Sequence, residues 1–145
     1  MNDIHIYETN LLWNFERNGT LSSPKLPTKI EVTTPPEFPK GQKEIWTPEH
    51  LFVASVNSCV MSTFLLIAEN SSIEFKSFTS KATGEASKVE GKYMFTEIVI
   101  TPTIEIPSTQ HIDKVKRVFE MSEKACTISN SIKTKITLQP VIIFR

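Results

Sequence analysis

The hydrophobic pattern of the chain is dominated by one run, Leu51 to Ala68, which is apolar on almost every side of a helix. Its start is marked by local signals. Thr47 is a good N-cap, Pro48 suits the first helical position, and Glu49 is a favourable first-turn acid. The pattern runs to about Asn70 and predicts a helix covered from all directions. One chain of this size is short of material for both faces, so a partner subunit is expected.

Ile4, Ile6, Tyr7, Leu11, Trp13 and Phe15 have no clean period and predict an N-terminal strand within residues 3–15. Asn18-Gly19 predicts a hairpin turn, with the return strand starting at Thr20-Leu21. Ile30-Glu31-Val32 reads as a third strand, and the Pro-rich stretch from Thr34 to Gln42 as a crossing loop. Beyond the long helix, Phe75–Glu85 and Tyr93–Ile106 predict an antiparallel pair, with Pro102 limiting part of the second strand to an edge or a bulge. Ser108 or Thr109 is the expected cap of a second helix. Its Ile112, Val115, Val118/Phe119 and Ser122 share one face, and Lys114, Lys116, Arg117 and Glu120 share the other. A short turn carries Cys126, and Ile132 to Leu138 alternates as a final strand. The expected class is α+β, as one domain over residues 1–145.

Lys+Arg and Asp+Glu balance at 16 each, which gives no electrostatic reason to expect nucleic acid or an anionic membrane as partner. The opening residues lack a basic segment followed by an apolar one, so no signal peptide is expected and the location is read as cytoplasmic, with thiols reduced. The long run approaches a membrane span in length, but Ser55, Asn57, Ser58, Ser62 and Thr63 interrupt it, and a core helix is expected. His5, His50 and His111 are scattered without ligand spacing, so no metal site is expected. No Gly-rich phosphate loop occurs.

The chemistry then rests on two cysteines, Cys59 inside the apolar helix and Cys126 after the second helix, which together suggest a redox pair. A thiol of pKa about 8.5 is only slightly ionised at neutral pH, and burial raises it further. Reactivity at Cys59 therefore calls for a nearby cation. Its helical neighbours Ser55, Val56, Ser62 and Thr63 carry no charge, and His50 stands nine residues away, roughly 13 Å along the axis. Of the three arginines, Arg145 is terminal and Arg117 lies on a polar face, which leaves Arg17 as the candidate and Glu49 as the carboxylate to hold it.

Pro48-Glu49-X-Leu51-Phe52-X-Ala54 followed by Ser58-Cys59 resembles the helix motif of the OsmC/Ohr family of thiol-dependent hydroperoxidases. Cys126-Thr127-Ile128-Ser129-Asn130 resembles its second-cysteine motif, and Arg17-Asn18-Gly19 resembles the Arg-X-Gly of the Ohr branch. One departure is visible: Thr127 stands where the family's peroxidases usually have proline. The resemblance implies the OsmC-like fold, an intertwined homodimer with sheets wrapped around two central helices, and active sites at the subunit interface. It also implies a two-cysteine peroxidase cycle. Cys59 attacks the peroxide and becomes a sulfenic acid, and Cys126 condenses with it to a disulfide. Arg17 activates Cys59, Glu49 orients Arg17, and an external dithiol, such as a protein-bound lipoyl group, serves as reductant without any bound cofactor. Phe52 and Phe64 near Cys59 suggest an organic hydroperoxide as substrate. Two other readings stand on the same residues: a non-catalytic protein that binds an apolar ligand at the dimer interface, and a peroxide sensor that oxidises once.

Overall fold

The computed structural model describes residues 3–145, and its chain falls into two compact units, Met1–Phe52 and Val53–Arg145. The first unit holds an antiparallel sheet of β1 (Asn10–Phe15), β2 (Asn18–Ser23) and β3 (Leu26–Val32), with β2 in the middle. The β1–β2 turn is made by Glu16 and Arg17, two residues earlier than the Asn-Gly signal suggests. Glu16 takes the left-handed φ of 46° that this turn needs. Asn18 and Gly19 are spent inside β2 instead. The Thr33 hydroxyl donates to Asn18 Oδ1 at 2.8 Å in a buried hydrogen bond. A Cβ on Gly19 would stand 3.0 Å from both Leu11 Cδ1 and the Leu12 carbonyl oxygen. Of the predicted strand, residues 3–9 are not part of β1.

The long helix α1 (Pro48–Asn70) starts where its signals place it. The His50 backbone N–H donates to Thr47 Oγ1 at 3.1 Å, which satisfies one of the orphan amides of the first turn. Among the described residues, cover on all sides of α1 is not found. Only Val56, Val60, Phe64 and Ala68, one stripe at four-residue spacing, are buried. Met61, Leu65 and Leu66 on other faces remain 39%, 38% and 59% exposed. By length and composition α1 is one helix that passes for a membrane span. Its Asn57 is nevertheless tied into the protein, since Ser80 Oγ donates to Asn57 Oδ1 at 2.6 Å.

In the second unit β4 (Ser77–Val89) and β5 (Lys92–Ile106) form the predicted antiparallel hairpin. Its turn uses Glu90 and Gly91, both at positive φ (51° and 80°), and a bulge lies between Glu85 and Ala86. The sheet is mixed rather than purely antiparallel. Both β6 (Lys135–Leu138) and β7 (Val141–Phe144), the latter not expected, run parallel to β5 along the same edge. Pro102 of β5 has no N–H to donate, and it falls between the β6-paired residues Glu97–Ile100 and the β7-paired residues Thr103–Ile106. The facing segment is interrupted there, between β6 and β7, at Gln139 and Pro140.

Helix α2 (Ile112–Ala125) begins after His111 rather than Ser108 or Thr109, because residues 107–110 first close a turn through Gln110 N–H to Pro107 O, 2.9 Å. Its Val115, Val118, Phe119 and Ser122 are buried, as the amphipathic pattern predicts. Val115, Val118 and Phe119 meet Phe64, Ala68, Ile104 and Ile106 in the main core, where the Phe64 and Phe119 rings stack with centroids 4.2 Å apart. A four-residue helix α3 (Thr127–Asn130) follows directly, with Cys126 as its N-cap.

Candidate active site

Cys59 and Cys126 come from parts of the second unit far apart in sequence, yet their side chains are hydrogen-bonded to each other. The elements that place them are anchored independently. Asn57, two residues before Cys59, is held to β4 by Ser80. Cys126 is fixed where α2 ends and α3 begins, and its carbonyl accepts the Asn130 N–H at 3.0 Å. Neither sulfur is in a disulfide; Cys59 is half-buried and Cys126 fully buried.

The surroundings separate the two thiols. Burial pushes the Cys59 thiol up, but four hydrogen bonds outweigh it: from the Cys126 thiol, the Ile128 backbone N–H, the Thr63 hydroxyl and the Thr127 backbone N–H. The net position lies below the ordinary thiol value. For Cys126 the balance is reversed. Burial and the hydrogen bond it gives to Cys59 push it up, hydrogen bonds from Ser129 oppose them, and charge on Cys59 adds a further upward push. The Ser129 hydroxyl lies 3.2 Å from Cys126 Sγ. The two thiols are thus coupled, and a negative charge on the pair is favoured on Cys59 over Cys126. Such an arrangement makes Cys59 the more acidic thiol and keeps the second thiol beside it.

All four groups that lower Cys59 are uncharged. The downward push on the Cys59 thiol therefore comes from hydrogen bonds. Thr63 was visible as a helical neighbour, four residues on from Cys59, but only its hydroxyl, not a charge, makes it useful. The Thr127 and Ile128 amides carry no sequence signal, because backbone N–H groups are the same in every non-proline residue and the sequence suggests only a turn where α3 forms.

Arg17 and Glu49 both belong to the first unit. Arg17 is exposed on the β1–β2 turn, where its Nη1 donates weakly to the Glu16 carbonyl at 3.5 Å. It borders an open cleft of about 290 Å³ that includes Trp13, Thr33 and Pro48. Glu49 sits in the first turn of α1 with Oε1 buried and unpartnered. Two ion pairs form among the described residues, Lys135–Glu97 and Arg145–Glu105, and neither involves Arg17 or Glu49. Phe64 does not line the site, because it is fully buried and stacked on Phe119. Among the described residues, no cluster of three or more His, Cys, Asp and Glu side chains is placed to hold a metal ion.

The family model for OsmC-like proteins matches residues 41–140, which span α1 and the whole Cys59–Cys126 constellation. The chain belongs to the OsmC-like family. Solved OsmC-like structures share its fold. An OsmC-like protein of unknown function from Vibrio cholerae superposes with a TM-score of 0.86 at 22% identity, covering 95% of this chain and 100% of that one. An organic hydroperoxide resistance protein from Elizabethkingia anophelis gives 0.77 at 20% identity over 100% of both chains. One from Legionella pneumophila, also described as a predicted redox protein, gives 0.72 at 16% identity over 98% of this chain and 99% of that one. No curated protein is similar enough to match the chain. The fold relatives thus include both hydroperoxide-resistance proteins and a protein of unknown function.

Proposed function

We propose that this OsmC-like protein is a thiol-dependent peroxidase that reduces organic hydroperoxides to alcohols. The observation that carries this reading is the hydrogen-bonded thiol pair in which Cys59 is pushed toward its anion and Cys126 toward its neutral form. The Cys59 thiolate attacks the terminal peroxide oxygen, the O–O bond breaks, and the alkoxide takes up a proton, leaving Cys59 as a sulfenic acid. Cys126 then attacks the Cys59 sulfur. An S–S bond forms, the S–O bond breaks, and the leaving hydroxide combines with the Cys126 proton as water. An external dithiol, for which a lipoylated protein is the best chemical fit, reduces the disulfide and becomes oxidised itself.

In this reading Arg17 turns from the Glu16 carbonyl to pair with Glu49 and adds a positive charge to the site. The unpartnered, buried Glu49 Oε1 and the weakly held Arg17 guanidinium support it. A homodimer is part of the same reading. Met61, Leu65 and Leu66 on α1, and Leu11, Leu12 and Trp13 on β1, are apolar side chains that a second copy would cover. The enzyme is placed in the cytoplasm, where thiol reductants are available.

The decisive assay is cumene hydroperoxide consumption with dihydrolipoamide as reductant. Turnover is expected in the native protein, and Cys59→Ser is expected to abolish it. A Cys59→Ser variant that turns over at the native rate refutes the assignment. Size-exclusion chromatography with light scattering tests the dimer, and a monomer at micromolar concentration removes that part of the reading.

A further inference from the structure

Ser129 has no part in the cycle above, yet its hydroxyl stands 3.2 Å from the sulfur of Cys126. Cys126 is fully buried, and a buried thiol resists becoming the thiolate that must attack the Cys59 sulfenic acid. Before oxidation the Cys126 S–H donates to the Cys59 anion. Once Cys59 has become a sulfenic acid, that anionic acceptor is gone. Ser129 is then the neighbour whose hydrogen bonds favour charge on Cys126. Its position three residues after Cys126, on the short helix that Cys126 opens, lets its hydroxyl reach that sulfur.

We infer that Ser129 is the positioning residue of disulfide closure: its hydroxyl holds the Cys126 sulfur against Cys59 and donates to it as it attacks. This rests on the proposed peroxidase cycle and adds a residue to its second step. The Ser129 proton is not consumed. Cys126 loses its own proton, the S–S bond forms as the S–O bond breaks, and the departing hydroxide and that proton leave as water.

The test separates the two chemical steps in reduced protein. Sulfenic acid formation is followed with a dimedone-type trap and closure by mass spectrometry, after one equivalent of cumene hydroperoxide. Ser129→Ala should leave the first step within about twofold and slow closure about tenfold, so that trappable sulfenic acid accumulates. Ser129→Thr and Ser129→Val differ essentially by the hydroxyl. Thr should restore closure and Val should not, which keeps the test informative if the alanine variant folds poorly. Diamide, an oxidant that needs no peroxide chemistry, closes the same bond through the same Cys126 attack and should show the same slowing. Native protein that closes with diamide but not with hydroperoxide defeats the peroxidase reading and leaves Ser129 tested by the diamide series. Closure at the native rate in both Ser129→Ala and Ser129→Val, or no closure of the native pair with either oxidant, overturns the inference.

Discussion

Replacing Thr127 by proline removes one backbone N–H and little else. Thr127 is the first residue of α3, a position where the amide has no acceptor within the helix and proline is well tolerated. Cys126 before it holds φ −69° and ψ 112°, the extended conformation that a following proline favours. The Thr127 side chain is exposed. Fold stability should therefore change by less than about 0.5 kcal/mol. The lost N–H, however, is one of the four groups that lower the Cys59 thiol. A hydrogen bond to a charged acceptor contributes about 1.5–3 kcal/mol. Because Cys59 is only half-buried, water replaces part of the bond and leaves about 1 kcal/mol, roughly fivefold in thiolate population. The assay is iodoacetamide alkylation of Cys59 against pH, read by mass spectrometry on reduced protein. Thr127→Pro should alkylate about fivefold more slowly at neutral pH, with the midpoint of the profile moved up, whereas Thr127→Ala, which keeps the N–H, should stay within about twofold. The substitution installs the residue of the family pattern and yet should make Cys59 less reactive. An unchanged alkylation profile in Thr127→Pro, with unchanged melting temperature, refutes the hydrogen-bond account of Cys59.

Three further outcomes are expected. The pH dependence of stability follows from the two opposite shifts. Cys59 is lowered in the folded state, so its contribution is present above the ordinary thiol value and is lost as pH falls through its folded pKa; Cys126 is raised, so its contribution is present below the ordinary value and is lost as pH rises through its own. Melting temperature of the reduced protein should thus rise toward the ordinary thiol pKa and fall beyond it, and Cys59→Ser should flatten the rising limb. Phe64→Ala removes a fully buried ring stacked on Phe119 and should cost about 3–5 kcal/mol in urea unfolding, with a loss below 1 kcal/mol contradicting the core described above. Glu49→Gln neutralises a carboxylate whose buried Oε1 lacks a partner, and should leave melting temperature unchanged or higher while slowing peroxide turnover at least about tenfold. Lower stability with undiminished turnover would reduce Glu49 to a first-turn helix acid.

Features that rest on near neighbours are legible in the chain alone. Thr47, Pro48 and Glu49 mark the start of α1 within three residues, and Thr47 does cap it. The period of Val115, Val118, Phe119 and Ser122 gives the buried face of α2. The two cysteine motifs point to the OsmC-like family that residues 41–140 match. Signals of the same local kind misled where a distant contact competed for the residue. Asn-Gly looks like a turn, but Asn18 is taken by Thr33 and Gly19 by the close approach of β1. Folding set which strands run parallel, because β6 and β7 pair with β5 through hydrogen bonds that no periodicity records. It also set which thiol is the more acidic. Cysteine is one residue type with one intrinsic pKa. Only the amides of Thr127 and Ile128, the Thr63 hydroxyl and the unequal burial of the two sulfurs, brought together by folding, move Cys59 down and Cys126 up.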